Sequence, residues 1–534
     1  MRTFSYILCA CLLVSCSTNQ KEEKEPEGLP FDVTGSAEAI PSFQKGLLLL
    51  HNFEYDDAAE EFVNAQRKDP DFAMAYWGEA MSHNHPVWQT VDMERARTSL
   101  RKFGQTPAER MDKTKTKIEK DFIESIEILF GEGAKGDRDK AYADHMSKMY
   151  KEHKGNHEVA AFYALSLLGT KEGWGEMEEK NFDAQKISES ILKENPSHPG
   201  ALHYLVHSDD HPEYASNALT AAREYAKIAS YAGHALHMPS HIYLALGMWG
   251  DVVNSNEVSW QASLDRKERK GLTNDDLNYH AYWWLQYGYL QQGRYEKAEG
   301  ILANQKQFAN ELPSSLARFH LLMMKGHFLM ETNSWTGGYS DLKVETKDLS
   351  ADVRSIGRFV DGTIAFRRKN LVELGKIIGE GENDRRKVNQ LKLEGGGIPV
   401  CGVTAYADRT PSLEELNQVE IFTLELKAME AWLKNDLESV EGYFVQAVEK
   451  SKGYLVGPPR LLKPTQELFG EFLLSINRPK EAYDQFQAAL KVSPGRILSL
   501  KGLLESSKQL GDNDRVMEFE TKLREALKSG DLSI

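Results

Sequence analysis

Seven histidines fall between residues 198 and 241: His198, His203, His207, His211, His234, His237 and His241. The chain holds 16 histidines in 534 residues, so a window of this length should hold about one at the average frequency. Their spacing is ordered as well as dense. His203 and His207 are four residues apart, and so are His237 and His241. On a helix that separation puts both rings on one face. His237 follows His203 by 34 residues, and His241 follows His207 by 34, so the pair is repeated at a fixed interval. Neutral imidazole is a common ligand for zinc, copper, nickel and iron. Two rings one turn apart can hold a single ion, with Asp210 completing or orienting the set. The candidate metal ligands are therefore His203, His207, His211, His234, His237, His241 and Asp210, and the expected cofactor is a divalent transition metal. Two plainer readings compete with this one: a polar ladder of rings packed between repeats, and a wall that binds a peptide carboxylate.

Such pairs need a scaffold that repeats. Residues 43–71 carry Phe43, Gly46, Tyr55, Ala58, Phe62, Ala65 and Pro70 at helical spacing, with small residues where two helices must approach closely. The pattern returns at Ala184, Ser188, Ile191 and Pro196, at Gly247-Met248-Trp249 with Val252, and at Gly293-Arg294-Tyr295 with Ala298. It returns again at Ala482, Phe486 and Ala489, and more weakly around Ala141, Trp335 and Val440. This resembles the tetratricopeptide repeat, two antiparallel helices recurring at 34 residues, the interval separating the histidine pairs. The predicted fold class is all-α, a tetratricopeptide-type α-solenoid of about a dozen helical hairpins. The expected domains are a signal peptide over 1–15, a flexible tether over 16–37, an N-terminal solenoid over 38–379, a Gly-rich loop over 380–412 containing Cys401, and C-terminal repeats over 413–530.

The resemblance also implies a phase. In tetratricopeptide domains positions 2, 5, 9, 12 and 13 of the first helix line the concave wall. His203, His207, Asp210 and His211 then fall at 5, 9, 12 and 13 of one unit, and His234, His237 and His241 at 2, 5 and 9 of the next. His280, Trp283 and Tyr287 follow at 2, 5 and 9, His320 and His327 at 2 and 9, and His85 at 13 of the second unit. Taken apart from the main cluster, His320, His327 and His85 are read first as packing residues. Glu467 and Glu471 fall at 5 and 9 of a late unit and are candidate acid–base or hard-metal carboxylates, with a solvated pair as the plainer alternative. His85, His280, Trp283, Tyr287, Glu467 and Glu471 are thus possible contributors to the groove. Pro239 interrupts the unit carrying His237: it must either kink that helix or occupy its first turn, which would leave His234 and His237 on the entering segment.

Bulk properties narrow the function. A net charge of −15 with no basic stripe argues against a nucleic-acid partner. Arg2, the apolar stretch 4–14 and Leu13-Val14-Ser15-Cys16 resemble a lipoprotein signal, with Cys16 as the acylated residue. That implies an outer-membrane lipoprotein, facing the periplasm or the cell surface, whose contact with the membrane is the lipid alone. The tether's Gln20-Lys21-Glu22-Glu23 also resembles a surface-export signal of some bacterial lipoproteins. Phosphate loops, dinucleotide fingerprints and Gly-x-Ser-x-Gly are absent from the sequence. The expected function is an envelope-anchored scaffold with a histidine-lined concave groove that binds a transition metal and takes a protein or peptide ligand. The alternatives are a hydrolase-type metalloenzyme using the histidines with Glu467 and Glu471, and a metal-free adaptor. Catalysis is left open, with non-enzyme the leading reading.

Overall fold

A computed structural model describes residue 29 and residues 31–170, 179–229, 232–389, 413–452, 461–528 and 530–531. Cys16, the signal segment and Cys401 lie outside the described residues. Among those described are twenty-five α-helices, two short 3₁₀ turns, and one two-residue antiparallel ribbon pairing Asn84–His85 with Thr90–Val91. Helices pack mainly on their sequence neighbours, as a solenoid requires. None of the described helices is long and apolar enough to cross a membrane.

The small residues of the repeat sit where helices cross. Phe62, on the helix Tyr55–Lys68, is wedged between Gly46 and Gly78 of the flanking helices, and a methyl group at Gly78 would lie 2.3 Å from its ring. Near the other end Phe486 is wedged between Gly470 and Gly502 in the same way, with a methyl at Gly502 2.4 Å away. The two junctions are built from the same three residue types, which is the structural content of the weak sequence repeat. Turns between paired helices use the left-handed conformation, as at Gly247, Gly293, Gly511, Asn435 and Asn477. Phe53 occupies the equivalent turn of the first hairpin, at φ 57°. A bulky side chain is disfavoured in that region.

The superhelix closes on itself from both ends. From the first hairpin, Asp57 pairs with Arg266 and Lys270 at 2.7 Å, and the Tyr225 hydroxyl donates to Asn52 Oδ1 at 2.9 Å. From the last, Trp249 Nε1 donates to the Gly495 carbonyl at 2.9 Å, and Arg496 donates to the Tyr287 hydroxyl at 2.7 Å. Both ends therefore cover the middle hairpins. The inner wall is correspondingly covered on two sides, with a cleft left beside His234 and His280. One large apolar core runs from Leu29 to Tyr204 and another from Val253 to Leu527, with smaller clusters between. The histidines occupy that seam.

One boundary moves. The helix Leu371–Asn389 continues through the first ten residues of the expected 380–412 loop. It persists because Asp384 is fastened to Arg354 and Arg358 of the preceding helix, at 2.9 and 2.6 Å. Residues from 390 to 412 lie outside the description.

Candidate metal centre

Four short helical segments carry the site. His203 and His207 lie on Pro199–Ser208, His234 and His237 on Gly233–His237, His241 on Pro239–Ala245, and His280 on Tyr279–Gln291. Pro239 takes the first position of its own helix, where a missing N–H costs nothing. The expected helix is thus divided at Met238, and His237 and His241, four residues apart, meet edge to face with ring centroids 5.0 Å apart.

The six rings form two sets. Ligand atoms of His203, His207 and His234 lie within 4.8 Å of one another, and so do those of His237, His241 and His280. Each set takes positions 5 and 9 from one repeat and position 2 from the next. The 34-residue period thus generates two copies of one arrangement. In the following repeat positions 5 and 9 are Trp283 and Tyr287, and position 2 beyond them is His320, so the series ends there. Trp283 packs on His320 and His327, Tyr287 on His327.

Hydrogen bonds fix where the ring protons sit. His241 Nδ1 is 2.7 Å from Asp210 Oδ2, and a carboxylate only accepts, so Nδ1 carries the proton. His237 Nδ1 is 2.6 Å from Asn256 Oδ1, while Asn256 Nδ2 is committed to the Val252 carbonyl at 2.8 Å. His237 therefore also donates from Nδ1. With both rings neutral, each directs an Nε2 lone pair into the gap between them, and those two nitrogens are 3.1 Å apart. Lone pairs at that distance repel unless a cation lies between them. Two nitrogens bound at 2.0–2.1 Å to a tetrahedral zinc are separated by about 3.3 Å. In the other set His203 Nδ1 donates to the His51 carbonyl at 2.6 Å, and its Nε2 faces His234 Nε2 at 3.3 Å.

Aromatic rings wall both sets. Phe53 lies 4.3 Å from His203, 5.7 Å from His207 and 5.5 Å from His234. Trp284 lies 4.4, 5.0 and 5.4 Å from His241, His237 and His280. The ring that covers the first set thus belongs to the residue held in the left-handed turn at φ 57°. Burial opposes protonation here, pushing His203 and His237 each down to about 3. Burial and then the neighbouring imidazoles hold His234 and His280 well below the usual histidine range. His234 and His280 are half-buried, and both line a cleft of about 1490 Å³ with Trp88, Glu54 and Arg266.

Other expected residues stand elsewhere. His211 lies beyond the end of its helix at Ser208, so the phase argument does not reach it; its Nδ1 accepts from the Glu213 N–H. Its neighbour Asp210 orients His241. Asp209 is buried and raised to about 7 by burial and Glu189. His85 sits on the short ribbon, past the helix end at Met81, stacked on Tyr55 at 4.0 Å. Glu467 is fully buried between Arg496 at 2.8 Å and Ser499 at 2.5 Å, and Glu471 contacts Lys463 and Arg367. Glu467 holds Arg496 against Tyr287; among the described residues neither carboxylate joins a histidine set, and the hydrolase constellation is not assembled.

A third group is legible only in three dimensions. His51 Nε2 lies 2.8 Å from Glu158 and His198 Nε2 3.3 Å from it, all three buried. The Tyr204 hydroxyl completes His51 at Nδ1, 2.8 Å away, and His198 Nδ1 caps its helix by accepting from the Ala201 N–H. Sequence reasoning assigned no role to His51, Glu158, Asn256, Glu54 or Phe53. Of these only Phe53 carried a signal, as a bulky residue where most of the equivalent turns place Gly or Asn.

No family model matches the chain, and no curated protein matches it. Solved structures with partial likeness are Ypp1 (10% identity, 92% of this chain and 87% of that one, TM-score 0.40), Cut9 in its complex with Hcn1 (12%, 89% and 78%, TM-score 0.36) and yeast Tom70 (11%, 90% and 99%, TM-score 0.31). The chain is an all-α helical-repeat solenoid.

Proposed function

We propose that this protein is a metal-binding helical scaffold in which two adjacent three-imidazole sets each hold a transition-metal ion. One observation carries the reading: His237 and His241 both give their Nδ1 protons to fixed acceptors and point their Nε2 lone pairs at each other across 3.1 Å. The competing account is a second proton on His241 beside Asp210, shared with His237. Metal analysis of untagged protein separates the two. Two equivalents of a transition metal, falling to one in His237→Ala with helicity unchanged, support the metal. Metal-free protein that gains no thermal stability from zinc, copper or nickel supports the shared proton.

The cleft favours a second role alongside the first. Its walls carry Lys45, Arg266 and Arg269 beside Glu60, Glu61 and Asp265, a mixture of charges suited to a protein or peptide segment. A partner recovered reproducibly from envelope extracts and lost on reversing the charge of Arg269 supports that role; identical recovery by the variant counts against it. We further propose attachment to the outer membrane through acylated Cys16, on the lipoprotein-like leader. Incorporation of labelled fatty acid, abolished by Cys16→Ala, is the expected result.

A further inference from the structure

Ions held by the two sets must reach ligands that are mostly buried. His203, His207, His237 and His241 are 0%, 7%, 0% and 4% exposed. Phe53 covers the first set and Trp284 the second. The two half-buried members, His234 and His280, belong to different sets and line the same cleft. Each is also close to the inner rings of its own set: His234 Nε2 faces His203 Nε2 at 3.3 Å, and the His280 ring centroid is 4.7 Å from that of His237. One opening thus touches both sets, each time through the imidazole that the following repeat supplies.

The walls of the cleft admit a cation. Three of its four basic side chains are held in ion pairs: Lys45 with Glu61 at 2.7 Å, Arg266 with Asp57 at 2.7 Å, and Lys270 with Asp57 at 2.7 Å and Glu60 at 2.8 Å. Burial pushes Glu54 toward its neutral form, and five further Asp or Glu side chains line the cleft against those four bases. Glu60, on the helix Tyr55–Lys68, and Asp265, on the helix Trp249–Lys270, are both exposed and line the cleft from different helices. Charges lining a cleft change the local concentration of an ion, and its rate of entry, by about 10- to 1000-fold.

We propose that this cleft is the common port of the two sets, each ion being captured first by His234 or His280 and then drawn onto the buried pair behind it. A segment seated in the cleft would then govern exchange at both sets. The inference rests on the metal-binding reading above and names the route by which the ions come and go. The test is stopped-flow uptake of Zn(II), and in separate runs of Cu(II) and Ni(II), by untagged metal-free protein, followed as loss of free ion from a metal-sensitive dye. Two double variants of equal charge change are compared with the wild type: Glu60→Lys with Asp265→Lys in the cleft, and Glu518→Lys with Glu525→Lys on the exposed side of the last helix. Both should still take up two equivalents, which reports an intact fold. The cleft variant should fill both sets at least about tenfold more slowly at 10 mM salt, with the control within about twofold of wild type. The difference should vanish at 0.5 M salt, where charges are screened. Equal slowing in the two variants, no slowing in the cleft variant, or slowing of one equivalent alone overturns the common port and leaves the metal-binding reading standing. Protein that takes up none of the three ions overturns both.

Discussion

Two buried histidine clusters lie within a few repeats of each other and solve the same problem differently. In the first, His51 and His198 converge on Glu158, His51 donating to it at 2.8 Å and His198 Nε2 lying 3.3 Å away; Tyr204 and the Ala201 N–H occupy the remaining ring nitrogens. The carboxylate stands between the two rings, on the side where an ion would lie. In the second, Asp210 and Asn256 stand outside the ring pair, on the Nδ1 side, and the Nε2 atoms are left facing each other. The same residue type thus yields a closed structural network or a set of inward lone pairs, depending on which side of the ring the acceptor occupies. Counting histidines does not distinguish them; the position of the acceptor does.

The largest expected effect is at Glu158. Glu158→Ala strips two buried imidazoles of their shared acceptor and should cost about 3–5 kcal/mol, read as a shift of the urea midpoint, with metal content unchanged in protein that remains folded. If metal were lost with the fold intact, the first cluster would be a binding site and the contrast would fail. Phe53→Gly comes next. Losing the ring costs about 3–5 kcal/mol, offset by about 1–2 kcal/mol on relieving the left-handed strain, for a net loss near 2–3 kcal/mol. A net gain in the urea midpoint would show that the ring does not support the wall it covers. Gly200→Ala sharpens the comparison from the other side: a methyl group there would lie 2.4 Å from His51 Nδ1. It should cost about 1–3 kcal/mol in stability and leave metal stoichiometry at its wild-type value.

Acid should act more gradually. His203 and His237 are held near 3 in the folded protein against about 6.5 when free. Between those values the unfolded chain binds more protons, so stability is full above pH 6.5 and declines as pH falls toward 3. Each ring contributes a slope of about 1.4 kcal/mol per pH unit. Urea melts of metal-free protein at pH 7.5, 6 and 5 should show that decline, and a flat profile would contradict the burial of neutral rings. Protons should compete for the ligands of the folded protein, and so release metal, only as pH approaches 3.

Much of this was written in the spacing. The 34-residue recurrence of the histidine pairs, and the small residues around Phe62 and Phe486, follow from a repeating hairpin whose inner face keeps one phase. The structure brings His203, His207, His237 and His241, which lie within helices of the repeat, into the two sets. His211 and His85 each lie past the end of a helix, where the angular argument has no force. Grouping was harder to see than direction. His234 and His280 complete sets begun in the preceding repeat, a relation set by how hairpins stack. The fate of Glu467 was hidden because its partners Arg496 and Ser499 lie on a later helix, and Tyr287, which Arg496 also holds, is 209 residues from that arginine. The clamp of Phe53 and Glu54 on His234 likewise joins residues about 180 positions apart in the chain.

Anomalous diffraction at the metal absorption edge, on crystals of metal-loaded protein, tests the central claim most directly. Two peaks are expected, one about 2 Å from the Nε2 atoms of His237 and His241 and one similarly placed between His203 and His234. No peak at either position, or a peak among His51, Glu158 and His198 instead, would contradict the account.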